Sequence, residues 1–336
     1  MKRHAVRQPL GPLVWHIGCG QHESNLVPAA QPAPECPSAH PRALVVGNGI
    51  NRYRPSSQRD EQVTSINAWD EMLLSLWRAH QGDEVASIPV GIALTEFYDA
   101  LDLISSKPNK QLQKEFCSLM ASWQPQRQHQ RLIAWAAANN TPVLTTNFEQ
   151  TLAKSHQLKL HHLQAKHFTD FYPWSSYFAK SPITSPTEEF AIWHINGMQR
   201  YARSVRLGLS HYMGAVDRAR DILHQGHLGG GFKNALKEHW RGNSTWLNIL
   251  LHNELVFIGL GLESNEIFLR WLLIERAKLY KAFPERRRAA YYIYAGEPIS
   301  QGQALFLEAV GVTVLPQTDY EALYEAPWAE RKGGYR

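Results

Sequence analysis

Cysteine is scarce: the 336-residue chain has only Cys19, Cys36 and Cys117. None forms a CxxC pair, and an odd count argues against a disulfide framework. Such usage fits a reduced, cytoplasmic compartment. No apolar run reaches the length of a membrane-spanning helix, so no membrane contact is expected. The basic start (Lys2, Arg3, Arg7) leads into LGPLVWHIGCG, but Pro12, His16 and the glycines interrupt that run, which argues against a secretory signal. Charge is sparse too. Only 19% of residues are Asp, Glu, Lys or Arg, which excludes a disordered polyelectrolyte. The net charge of +5 suits an anionic ligand or partner, yet ordinary surface charge explains it better than a nucleic-acid footprint. Recognition helices, RNP-like aromatic sheets and zinc-finger spacings are all missing. Nucleic acid is therefore expected only through a partner.

With 44% hydrophobic residues, the chain can bury a large core. Residues 1–40 are rich in Pro, His and Gly and read as an extended arm. The folded part is expected over 41–330. ALVVGNGIN (43–51) reads as a buried strand running into a Gly-rich turn. Helical spacing then follows over 65–80, with Ser65 as N-cap, and over 92–104, 109–122 and 128–139. These form a helical insertion at about 65–140, too long for a simple crossover. Strands are expected at 142–149, 190–197, 255–262, 289–296 and 311–316, with helices at 210–225, 232–253, 263–280 and 301–310. That alternation implies an α/β fold with a parallel sheet covered on both faces.

Four motifs carry chemistry, each with a bland alternative. GNGIN (Gly47–Asn51) follows a buried strand, so its backbone could approach a pyrophosphate closely. It lacks the full G-x-G-x-x-G fingerprint and reads equally as a tight turn. TTNFE (Thr145–Glu149) sits where a parallel strand ends, with Asn147 either holding a sugar hydroxyl or water or capping the next helix. WHING places His194 at a strand end beside a Gly turn, suited to general-base work. His161, His162, His167, His227 and His239 read as structural. IGLGLESNE (Ile258–Glu266) is a second glycine turn before a Ser/Asn cap.

The order of these motifs resembles the SIR2-like superfamily, and within it the bacterial SIR2-like NADase domains of anti-phage defence. Their pattern runs G-x-G-[IVL]-[SN], T-T-N-[YF]-[DE], K/W-x-H-[GIL]-x-G, [IL]-G-x-[SG]-L, and the likeness spans 43–316. The resemblance implies a Rossmann-like parallel sheet of the sirtuin/DHS-like NAD-binding kind with helical insertions. It implies that Gly47, Asn48 and Gly49 line the NAD⁺ pyrophosphate and that Asn51 lies close to the ribose. Asn147, flanked by Thr146, matches the family's essential asparagine, and His194 its catalytic histidine. Gly259, Gly261 and Ser264 match the second nucleotide-binding turn, and Tyr212 of GLSHY is a pocket candidate.

Departures from the pattern shape the reading. Deacylase sirtuins hold a structural zinc with two CxxC pairs, and this chain has none. Asn48 stands where the deacylase loop has Ala, and helices occupy the place of a flexible cofactor loop. The favoured expectation is therefore an NAD⁺ glycohydrolase with NAD⁺ as substrate, no cofactor and no metal, acting as an NAD-depleting effector. It would work as a homo-oligomer or with a sensor or ATPase partner. The alternatives are a zinc-free deacylase or ADP-ribosyltransferase, and an idle NAD- or ADP-ribose-binding module. Trp69, Trp77, Trp123, Trp135, Trp240 and Trp246 could supply contact surface, though core packing suits them better. Asn147 and His194 are both expected at loop positions, where substitution leaves the melting temperature nearly unchanged. Elemental analysis of the purified protein should find substoichiometric zinc. One tightly held equivalent would restore the deacylase reading.

Overall fold

The computed structural model describes residues 40–55, 68–82, 85–106, 108–164, 169–224, 240–263 and 266–328. The Pro-rich arm, the Ser65 cap and Ser264 lie outside the described residues. Eight strands form one sheet: β1 (Arg42–Val46), β2 (Val143–Thr145), β3 (Lys159–His162), β4 (Ser176–Ala179), β5 (Ile192–His194), β6 (Glu254–Ile258), β7 (Ala290–Tyr294) and β8 (Thr313–Pro316). Their order is β3-β4-β5-β2-β1-β6-β7-β8.

β1 pairs in parallel with β2 and β6, and the parallel ladder continues outward through β5, β7 and β8. β4 instead runs antiparallel to both β3 and β5. The expected all-parallel sheet is thus corrected to a mixed, mostly parallel one. The connection matches the reversal. A parallel return usually crosses over through a helix, and the 180–191 link carries none.

Around the sheet lie α1 (Gly49–Arg52), α2 (Trp69–Gln81), α3 (Leu94–Ile104), α4 (Asn109–Leu119), α5 (Arg127–Ala138), α6 (Thr151–Ser155), α7 (Leu209–His224), α8 (Trp246–His252), α9 (Ile267–Ala282), α10 (Gln301–Ala309) and α11 (Tyr320–Tyr324). Of the expected helix over 232–253, residues up to 239 lie outside the described ones. α8 starts only at Trp246, where the Thr245 hydroxyl caps the Leu247 amide. No described helix is long and apolar enough to cross a membrane.

Strand alternation divides the apolar runs between the two faces. Val45, Leu144, Trp193 and Phe257 pack with α7, α8 and α9. Leu44, Val46, Ile192 and Ile258 pack with α5, α6 and α11. The insertion splits by role. α5 covers the sheet, whereas α2, α3 and α4 build a core of their own. That core includes Phe148, Val205 and Leu207 from the loops beyond the strand ends. Trp135, Trp240 and Trp246 are buried, while Trp69, Trp77 and Trp123 are half-buried against it, so these residues pack the interior.

The chain reverses direction across the sheet between β1 and β6, the place where open α/β sheets leave a crevice. Here the two following turns close on each other. The Gly47 amide donates to the Ile258 carbonyl and the Gly49 amide to that of Gly259, both at 2.9 Å. Gly259 has φ of 67°, a conformation that favours glycine. A Cβ at Gly49 would stand 2.9 Å from the Gly259 Cα and closer still to the Tyr324 hydroxyl. Gly49→Ala should therefore cost about 1–3 kcal/mol in urea unfolding through overpacking. Adding Tyr324→Phe should recover part of that loss, and no recovery would mean that the backbone contact alone sets the cost.

Candidate functional site

The parallel register brings four turns to one edge. Val46 pairs with Thr145 and Ile258, and Thr145 pairs with His194. The residues after these positions, Gly47, Thr146, Ile195 and Gly259, leave the sheet together.

Asn147 and His194 meet directly. The His194 Nδ1 lies 2.7 Å from the Asn147 carbonyl oxygen. A carbonyl only accepts, so Nδ1 carries the proton. Burial holds the imidazole neutral, lowering its pKa from 6.5 to about 4. Nε2 is then a bare lone pair, and it is buried without a partner. The expected loop placement holds for Asn147, two residues beyond β2, and is corrected for His194. His194 ends β5, and both residues are buried, His194 at 2% exposure and Asn147 at 0%. Substituting either removes a packed, hydrogen-bonded group and lowers stability, by about 1–3 kcal/mol where a buried partner is orphaned.

Asn147 is fixed from the other side. Its backbone amide donates to the Thr145 hydroxyl at 3.1 Å, and its side-chain amide donates to the Gly47 carbonyl at 3.3 Å. Its Oδ1 has no partner. The same amide reaches Glu149, a residue that sequence reasoning missed. Glu149 Oε1 accepts from Thr151 Oγ1 at 2.8 Å, Asn51 Nδ2 at 2.9 Å and Asn147 Nδ2 at 3.4 Å. Burial pushes the carboxyl pKa up while these hydrogen bonds oppose it. Its Oε2 is buried and unpartnered. The only sequence signal was the acidic residue closing TTNFE.

Asn51 joins this network. Its amide donates to Asn48 Oδ1 as well as Glu149, and its Oδ1 accepts from His129 Nε2 at 2.9 Å and lies 3.3 Å from the Thr151 hydroxyl, whose one proton goes to Glu149. His129 Nδ1 accepts the Gln126 amide, so Nε2 bears its proton. His129 and His194 are therefore buried in opposite tautomers. The Asn51 side chain is engaged by protein groups on both its nitrogen and its oxygen, and α5 reaches the site through His129.

The remaining candidates are distributed. The Thr146 amide donates to the Val46 carbonyl, and the residue is buried. Because the Gly47 and Gly49 amides donate to carbonyls across the crevice, these two donors are turned away from any ligand. The Gly261 carbonyl accepts from Gln303 and Tyr292. Tyr212 is buried in the core against α7's neighbours, with its hydroxyl pKa raised by burial.

A narrow cleft with about 10 Å³ open to a water-sized sphere, room for about one water, adjoins His194, walled by Tyr172, Trp174, Ile195, Arg206 and Trp246 among others. Neither Gly47 nor Asn147 lines it. Among the described residues, no three His, Cys, Asp or Glu side chains gather in a way that could hold a metal ion.

The hydrogen bonding predicts the protonation of His194. Nitrogen NMR should find Nδ1 protonated and Nε2 bare at pH 7, with no titration until the pH nears 4. The unfolded imidazole takes up its proton near 6.5, so its contribution to stability is whole above that value and lost as pH falls from 6.5 through about 4. A His194 signal titrating near 6.5 would contradict the buried, neutral assignment.

No model of a known protein family matches the chain, and no curated protein matches it significantly.

Proposed function

We propose that the chain hydrolyses the nicotinamide–ribose bond of NAD⁺. One observation carries the reading: His194 is held by the Asn147 carbonyl as the tautomer that leaves Nε2 unprotonated, at the strand edge where α/β sheets bind nucleotides. The likeness of the four motifs to SIR2-like NADases supports it. In that reaction the C1′–N bond breaks, and nicotinamide leaves as a neutral ring with the bonding electrons. A water oxygen bonds to C1′, and its proton passes to Nε2 and then to solvent, leaving ADP-ribose.

An imidazole with a pKa of about 4 is a weak base. That strength suits a step in which C–N cleavage runs ahead of water attack and the proton moves late. Asn147 Oδ1, an open acceptor, would orient the water or a ribose hydroxyl. Glu149 would hold Asn147 in place and, when protonated, offer a donor from Oε2.

The cleft at His194, with about 10 Å³ open, is far smaller than the roughly 300–1,000 Å³ typical of ligand pockets, so NAD⁺ entry requires it to widen. A closed resting form fits an NAD-depleting effector of anti-phage immunity that assembly with further copies, or a partner protein, switches on.

Incubation with NAD⁺ and chromatographic separation of nicotinamide and ADP-ribose tests the reading. Asn147→Ala and His194→Gln, checked for folding by circular dichroism, should each lose about 10²–10⁴-fold in turnover. Turnover per chain should rise with protein concentration. Wild-type turnover in a folded His194→Gln protein would remove His194 from the mechanism.

A further inference from the structure

Arg206 has an unusual position for a cation. It is 4% exposed, yet none of the ion pairs among the described residues includes it. Its Nη2 donates to the Phe171 carbonyl at 2.8 Å. The guanidinium lies over the Tyr172 ring at 4.7 Å and the Phe171 ring at 5.3 Å. These contacts fix its plane without neutralising its charge. Burial lowers its pKa only to about 10, so it is cationic at neutral pH. Its Nη1 is buried and has no partner.

A second orphan donor lines the same cleft. Trp174 Nε1 is buried without an acceptor, in a ring stacked on Trp246 at 4.7 Å. Guanidinium and indole groups donate and do not accept. Leaving either unsatisfied in the interior costs free energy, and an uncompensated buried charge costs most. The complement of two fixed donors and one positive charge is an anion with at least two acceptor oxygens.

We infer that the cleft beside His194, on the same widening that NAD⁺ entry requires, is an oxyanion subsite for a phosphate group, with Arg206 Nη1 and Trp174 Nε1 as its donors. The subsite deepens the NAD⁺ reading by giving the His194 cleft an anchor, but its binding chemistry stands without the cleavage reaction. The phosphate belongs either to the dinucleotide itself or to a separate phosphorylated small molecule.

Calorimetric titration of the full chain with inorganic pyrophosphate and with ADP-ribose tests it. Binding by the wild type is expected. A charge-assisted bond is worth enough that Arg206→Gln should weaken binding about 10- to 100-fold, and Trp174→Phe, which keeps the ring stack, about 3- to 10-fold. Trp174→Phe keeps the test decisive if Arg206→Gln does not fold. An equal rise in KM for NAD⁺ in these variants assigns the phosphate to the substrate. Lost pyrophosphate binding with KM unchanged assigns it to a second ligand. The subsite is overturned if the wild type binds neither probe, or if the folded variants bind as the wild type does. Pyrophosphate binding without NAD⁺ cleavage would retain the subsite and sink the hydrolase reading.

Discussion

β1 is hydrogen-bonded along both edges, to β2 and to β6, and the polar groups at the strand ends hang from that pairing. A strand with two parallel neighbours cannot slip by one residue without turning its apolar side chains to the wrong faces. The register therefore fixes where the chain leaves the sheet after Val46, Thr145, His194 and Ile258. Once those exits align, the Asn147 amide can reach the Gly47 carbonyl, and the Asn147 carbonyl can accept a hydrogen bond from His194 Nδ1. The tautomer of a single imidazole thus follows from strand pairing.

Much of this was legible from residue patterns. Apolar runs located the six strands β1, β2, β5, β6, β7 and β8, since all but the edge strand β8 are largely buried, and a parallel strand covered on both faces reads as continuous hydrophobic sequence. Helical spacing located α3, α5, α7 and α10 closely, since each presents one apolar stripe. β3 and β4 stayed hidden. KLHH is polar and half-exposed at the sheet edge, and SYFA is four residues without alternation against polar neighbours. The sheet's antiparallel edge went unread with them.

At the site, Asn147 and His194 were legible because strand-end loops concentrate chemistry, and their meeting followed from strand order. Glu149 and His129 were not. A carboxylate four residues beyond a strand looks like helix-cap chemistry, and a histidine in a helix looks structural. Only the fold shows that Asn51 joins them, some eighty residues from His129 and a hundred from Glu149. Arg206 escaped for another reason. Sequence cannot tell a buried arginine lacking a carboxylate from a surface one, because the difference lies in what does not sit beside it.

The core of α2, α3 and α4 is not a separate body. Phe148 belongs to it, against Trp69 at 5.1 Å and Phe116 at 6.2 Å, and one peptide bond on either side of Phe148 leads to Asn147 and Glu149. Close-packed rings transmit displacement and do not absorb it. The helical cluster is thereby a mechanical handle on the site. The outer surface of that cluster, where Leu103 and Ile104 are exposed at the end of α3, is thus joined to the interior site by one continuous run of packed rings.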